Sequence, residues 1–378
     1  MFRVEHSGLI PNVPRGTFFI WGVIMAKLYD KNGWIDFDRL NKLSGTLNIV
    51  LAPRNSGKTF GKMLYNHNKG IPYIFMRTTQ QQIDTVFVNE LSPFEKLNRE
   101  TGSRYICSKL PGLPVTAVYS DYTENEEGKR KPVGAPVNFC MALLQVGSIR
   151  GFNLDYIPEL IYDEFVKHNG EIIRNYGKSD LMYFDAIVTL NRARELSGLP
   201  PIKQWLFGNT DNLAIPILQS LHLINTIIGM RNNYENYRKL PNGIAIFLCD
   251  DSPAAKRLSE ISNVAKMLEG TNYYEMAYKN SFVYDDMSDC NIQAIGQYKP
   301  VAIISDLMLM EHKYKDLYYI RAYTGDCNGV TLYPPGKAGK DRFKMEYGFL
   351  YFWFINGNLI FSDYDTKIKF LHLIDVDI

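Results

Sequence analysis

The run Ala52-Pro53-Arg54-Asn55-Ser56-Gly57-Lys58-Thr59 carries the sharpest chemistry in the sequence. Successive backbone N–H groups in such a run can curl around phosphates, and glycine lets the backbone approach them closely. Lys58 would neutralise charge on the β- and γ-phosphates of ATP, and Thr59 would offer a hydroxyl to Mg2+. Ala52 stands where the usual pattern has glycine, so the backbone there must adopt a conformation open to alanine. The apolar run Leu47 to Leu51 precedes the loop and a helical pattern, Lys58 to His67, follows it. Strand, loop and helix in that order are the setting a phosphate loop requires.

A second apolar run, Leu160-Ile161-Tyr162, ends in Asp163-Glu164. In an open α/β sheet, acids at a strand's carboxyl end lie beside the phosphate loop. Asp163 would complete the Mg2+ shell and Glu164 would act as general base on the attacking water. An acid directly after the metal-binding aspartate points to an ATPase of the additional-strand, catalytic-glutamate (ASCE) type. Asn209, in Phe207-Gly208-Asn209-Thr210, follows a further strand and could sense the γ-phosphate. Arg54 could reach that phosphate in cis, whereas Arg150, Arg192 and Arg194 are candidates for fingers inserted into a neighbouring subunit's site. Two basic clusters, Lys129-Arg130-Lys131 and Lys337, Lys340, Arg342, Lys344, read as loops that could hold nucleic-acid phosphates without reading sequence. The six histidines show no metal-ligand spacing.

These residues need a frame. At 378 residues the chain has room for two to three domains. Lys plus Arg is 42 against 40 Asp plus Glu, so nucleic-acid contact must come from local patches and not from bulk charge. A hydrophobic share of 46% supports a sizeable core and excludes intrinsic disorder. The five scattered cysteines, with no C-x-x-C pair, suit a reducing cytoplasm and give no zinc site. No apolar run approaches membrane-spanning length, so a soluble intracellular protein is expected.

Short apolar runs alternating with helical patterns predict an α/β ATPase domain over residues 45–225, with a mostly parallel sheet. Ala117 to Asn138 reads as a hairpin with a charged tip. Residues 1–44 read as a lead-in, and 226–285 as a small polar, helical linker whose helix starts at Ser252-Pro253 and ends at Gly270. Residues 286–378 read as strands: Val301 to Met310, Leu317 to Thr324, Val330 to Tyr333, a hairpin around Asn356-Gly357, and a last strand over Lys367 to Val376.

The motifs LNIVLAPRNSGKTF, YIFMRTTQQ, LIYDEF, NRARE and WLFGNTDN, in this order and spacing, resemble those of the DNA-packaging (encapsidation) ATPases of small short-tailed, protein-primed phages, which are relatives of the large terminases. The resemblance covers about residues 45–285 and extends more loosely to the carboxyl end. It implies phosphate and Mg2+ contacts for Lys58 and Thr59, a phosphate-loop arginine at Arg54, and metal and base roles for Asp163 and Glu164. It places a trans-acting basic residue at Arg150 and a finger at Arg192 or Arg194. It further implies an RNase H-like carboxyl domain with a vestigial nuclease that docks on the portal or on a structured packaging RNA. The implied assembly is a homo-oligomeric, pentameric ring on the portal vertex of an empty prohead, threading double-stranded DNA. Such a motor works in the host cytoplasm, sits transiently on the assembling virion and is absent from the mature one. Two motor readings from outside that family stand beside it: a terminase-like motor with a working nuclease, for which Asp306, Asp326 and Asp363 are the available acids, and another ASCE DNA pump or helicase. A non-catalytic, nucleotide-gated scaffold would need the base lost, and Glu164 is present.

Overall fold

The computed structural model describes residues 17–20, 23–86, 92–149, 154–167, 173–209, 212–279, 285–325 and 329–376. Two compact units emerge: residues up to 209 together with 229–279, and residues 212–228 together with 285–376. The strands, in chain order, are β1 (Thr17–Ile20), β2 (Val23–Ala26), β3 (Leu47–Leu51), β4 (Tyr73–Arg77), β5 (Ile106–Lys109), β6 (Val115–Glu124), β7 (Arg130–Ala142), β8 (Glu159–Asp163), β9 (Lys203–Gly208), β10 (Tyr237–Lys239) and β11 (Ile244–Leu248) in the first unit. The second unit holds β12 (Tyr298–Ile304), β13 (Leu307–His312), β14 (Tyr318–Ala322), β15 (Thr331–Tyr333) and β16 (Leu359–Phe361).

The first unit is built on a sheet ordered β10-β11-β3-β9-β8-β4-β7-β6-β5. From β11 to β7 the strands are parallel; β10, β6 and β5 add antiparallel edges. Strands β3, β8 and β11 are buried along their whole length, as their near-continuous apolar sequences require in a sheet covered on both faces. β9 lies between the phosphate-loop strand β3 and the acid-bearing strand β8, which is the additional-strand arrangement expected from the sequence. All the parallel strands therefore deliver their carboxyl ends to one edge. The helix Lys58–Lys69 is fixed over this sheet by a buried ion pair, Lys62 to Glu159 at 2.7 Å, with Lys62 also 4.6 Å from the Trp205 ring centre. The expected hairpin is present as β6 and β7, but of the basic triad read as a loop only Lys129 lies in the turn; Arg130 and Lys131 pair with Glu124 and Thr123 and open β7.

The 226–285 stretch differs from its helical reading. Ile244–Leu248 is a buried strand between β10 and β3; its five apolar residues are too few to declare a period. The helix from Pro253 breaks at Ser262, whose side chain caps a second helix, Asn263–Leu268. Ile261 and Val264 are consequently exposed.

In the second unit the sheet order is β15-β12-β13-β14-β16, with an antiparallel meander in the middle and parallel strands at both edges. Four expectations fail here. Val301 to Met310 is not one strand, because the chain turns at Ser305-Asp306, with φ 53° at the serine, and its two halves lie in β12 and β13, paired antiparallel. The basic cluster Lys337, Lys340, Arg342, Lys344 is on a helix, Lys337–Tyr347, and not in a loop. Leu350–Ile355 is helical, so the turn at Asn356-Gly357 (φ 73° at the glycine) joins a helix to β16 and makes no hairpin. Lys367 to Val376 holds no strand; Tyr364–Leu373 is a helix, capped by the Asp363 carboxylate accepting from the Thr366 N–H and burying Ile368, Phe370, Leu371 and Leu373. Among the described residues no helix is long and apolar enough to cross a membrane.

Candidate active site

The site is assembled at the carboxyl edge of the parallel sheet. After β3 the chain turns through Ala52–Gly57 into the helix Lys58–Lys69. Within this loop positive φ falls on Asn55 (60°) and Gly57 (87°). Ala52 keeps a negative φ, so its Cβ brings no backbone penalty at the position where glycine is usual. Asparagine is among the few side chains that tolerate the left-handed region. The Ala52 N–H donates to Gly208 O at 3.1 Å, which fastens the loop to the end of β9.

Lys58 Nζ folds back into its own loop, donating to Ala52 O (2.6 Å), Pro53 O (2.9 Å) and Asn209 Oδ1 (2.6 Å). Burial pushes its pKa down to about 8, although Asp163, Cys249 and Glu164 pull the other way. Thr59 Oγ1 donates to Asp163 Oδ1 at 2.7 Å. A hydroxyl and a carboxylate side by side are the oxygen donors that Mg2+ accepts while keeping waters and phosphate oxygens in its remaining positions. Among the described residues, no three His, Cys, Asp or Glu side chains gather as a metal cluster, so a cation here would rely on Thr59, Asp163 and the nucleotide.

Glu164 takes φ 54°, a left-handed backbone directly after the strand. Such strain is typical of positions fixed for function. Its neighbours hold it there: Phe165 N–H donates to Phe207 O, and a Cβ on Gly208 would lie 2.5 Å from Val166. Only glycine lets β9 end that close to the chain following β8.

Arg77, at the end of β4, is a site residue that the sequence alone does not single out. Its Nη2 donates to Asp163 Oδ2 at 2.7 Å and its Nη1 to Glu164 Oε2 at 2.6 Å. One guanidinium therefore clamps both acids. The signal was present, an arginine terminating an apolar strand, but its meaning depends on β4 lying next to β8.

The other arginines separate. Arg54 is exposed; its N–H donates to Ala277 O (2.9 Å) and its guanidinium stands 5.9 Å from the Tyr273 ring centre. Arg194 is buried, and its guanidinium donates to the carbonyls of Pro200 (2.9 Å), Ile157 (2.9 Å) and Asp155. Arg192 is exposed on the same helix, Ser179–Leu196. Arg150 lies outside the described residues, as does Asp326. Asp306 is ion-paired with Lys369 at 2.7 Å, and Asp363 serves as a helix cap.

No protein-family model matches this chain. A 66-residue stretch is 39% identical to the mannitol-specific EIICB component of the PTS system of Bacillus subtilis; the chain spans 13% of that relative's length. Two solved structures align over most of the chain. The phi28 gp11 DNA packaging motor gives a TM-score of 0.62 over 92% of this chain and 100% of that one, at 15% identity. The bacteriophage phi29 viral genome packaging motor assembly gives 0.60 over 90% and 98%, at 16% identity. The mixed α/β architecture, with its large mostly parallel sheet and second strand-rich sheet, is thus a fold shared with these motor proteins.

Proposed function

We propose that this chain is a Mg2+-dependent ATPase that drives double-stranded viral DNA into an empty phage capsid. The observation that carries the reading is the meeting of Lys58, Thr59, Asp163 and Asn209 at one sheet edge. The paired residues come from segments 104 and 151 residues apart. The fold shared with two phage packaging motors supports the choice of track.

On this reading the loop N–H groups and Lys58 receive the triphosphate. Lys58 leaves the carbonyls of Ala52 and Pro53 to do so, and the incoming anion restores its full charge. Thr59 and Asp163 would hold Mg2+, which would supply positive charge against the triphosphate. Glu164 orients a water in line with the γ-phosphate and takes its proton. Arg77 sets where that carboxylate points. Asn209 registers that the γ-phosphate has come or gone, a reading its bond to Lys58 supports.

Arg150 and Arg192 are the arginines we assign to a neighbouring subunit's site in a homo-oligomeric ring, pentameric by resemblance. Arg194 is bound to carbonyls of its own chain, so Arg192 takes the role within that pair. The second unit docks on the portal vertex or on structured packaging RNA, and the motor acts in the host cytoplasm on the assembling virion.

ATP hydrolysis measured alone, with duplex DNA, and with duplex DNA plus purified empty capsids tests this. Stimulation that requires capsids supports a packaging motor. Full stimulation by duplex alone would make it another kind of DNA pump, and hydrolysis undiminished in Glu164→Gln would remove the assigned base.

A further inference from the structure

We infer that Trp34 is the stacking platform for the nucleobase of the bound nucleotide, and that the cavity beside it receives base and ribose; this rests on the ATPase reading above. Trp34 tips a tight loop closed by a bridge between Tyr29 and Ile35. Asp30 Oδ1 accepts from the N–H groups of Asn32 (2.8 Å) and Trp34 (2.9 Å), and Gly33 takes φ 80°. The loop is clamped from two sides. Ile35 N–H donates to Ser56 O of the phosphate loop at 3.3 Å, and Ala254 N–H donates to Gly33 O at 3.1 Å. A Cβ on Gly33 would fall 2.7 Å from Pro253, so the clamp is tight. The indole lies against Gly57, 3.1 Å from where a Cβ would stand, yet the residue remains 38% exposed.

A tryptophan whose backbone is fixed on both sides while its ring stays open to solvent is pre-organised for a planar ligand. The ring also lines a cavity of about 660 Å³, shared with Gly57, Phe60, Asp36, Leu64 and Asn68. That volume lies in the range of small-molecule sites. The cavity begins at Gly57, where the helix Lys58–Lys69 presents its free N–H groups to phosphate. A nucleotide with its phosphates in the loop can therefore lay its nucleoside along Phe60 toward Trp34.

Stacking on an aromatic ring favours every base, and alanine substitution costs about 1–3 kcal/mol, roughly 5- to 150-fold in affinity. The test titrates the full chain with Mg2+-ATP, Mg2+-GTP and inorganic tripolyphosphate. Trp34→Ala is expected to weaken both nucleotides by that factor and leave tripolyphosphate unchanged, while Trp34→Phe keeps most of the nucleotide affinity. Equal weakening of all three ligands would show that Trp34 merely supports Gly57, and unchanged nucleotide affinity would show no contact; either overturns the inference. Lys58→Ala separates the two readings. It should abolish binding of all three ligands, and if it does not, the phosphate-loop assignment itself fails.

Discussion

Both units gather carboxylates around their sheets, but they balance them differently. On the first sheet, Asp163 and Glu164 face an arginine and a threonine hydroxyl beside the phosphate loop. On the second, lysines and helix N–H groups occupy the acids. Lys369 sits between Asp306 (2.7 Å) and Asp365 (3.0 Å), Lys367 meets Asp289 (2.7 Å), and Asp363 caps its helix. An ammonium held between two carboxylates does the charge-neutralising work a divalent ion would do. What sets the first sheet apart is that Asp163 Oδ1 meets an uncharged oxygen donor, the Thr59 hydroxyl, beside the phosphate loop, a pairing that a cation bound with a nucleotide would share.

The largest effect should come from Glu164, the proposed base. Glu164→Gln is expected to lower turnover by about 10²- to 10⁴-fold with ATP affinity retained, because only the water-activating step is lost. Arg77 comes next. Arg77→Ala strips buried Asp163 of its cation, and breaking such a pair costs about 3 kcal/mol at the low end of the usual range, since Arg77 keeps some exposure. Urea denaturation measures this. Arg77→Lys should recover little, as one ammonium cannot reproduce a two-carboxylate clamp. An unchanged denaturation midpoint in Arg77→Ala would break the contrast drawn between the two sheets.

For the second sheet the test is Lys369→Met. Burial raises the pKa of Asp365, while Lys369 opposes the shift. An acid with a raised folded pKa contributes its full stability below the unfolded value and loses it as pH rises through the folded one. Removing Lys369 raises that pKa further, so the variant should lose little at pH near 4 and about 1–3 kcal/mol at neutral pH. The exposed Asp306 adds little, because solvent screens it. The wild-type chain is expected to leave duplex DNA uncut in Mg2+ or Mn2+; cleavage would show that the second sheet's acids are not neutralised after all.

What was legible in the sequence was local. The phosphate loop and the Asp163-Glu164 strand end are recognisable within a few residues, and Asn209 stands out because it directly follows a strand. Arg77 does not, because its contacts with both acids exist only once β4 and β8 are neighbours. Arg192 and Arg194 looked equivalent, yet two residues on a helix lie about 200° apart, so one faces solvent while the other is buried. The carboxyl unit misled because Leu350–Ile355 is apolar throughout and gives no period. Over Lys367 to Leu373, the alternation Lys-Ile-Lys-Phe imitates a strand, while the cap that starts the helix sits upstream at Asp363.

A smaller effect sharpens the first site. With Lys58 lowered to about 8 by burial, the ligand-free native state gives up a proton that the unfolded chain keeps up to about pH 10.5. Ligand-free stability should therefore rise with pH across that window. Triphosphate binding restores the charge, so above pH 8 it should take up a proton, and affinity should weaken by up to about tenfold per pH unit. Calorimetry in buffers of different ionisation enthalpy reads the uptake directly. Binding indifferent to pH between 7 and 9 would show that Lys58 carries its charge throughout.

The smallest effect concerns the helix Lys337–Tyr347. Arg342 is paired with Glu346 at 2.8 Å and Lys344 with Asp375, so those cations are already committed. Lys337 and Lys340 are exposed, sit three residues apart on the helix, and among the described residues face no acid at ion-pair distance. Four free cations would give a log–log salt slope of roughly −3.6 on duplex DNA, and two would give roughly −1.8. The double variant Lys337→Ala, Lys340→Ala in the full chain should therefore flatten the measured slope by about 1.8, whereas Arg342→Ala should leave it nearly unchanged. Salt-dependent titration of a short duplex decides between them. An equal loss from Arg342→Ala would mean that DNA displaces Glu346, and the second unit's acids would then be gates on its cations and not their permanent partners.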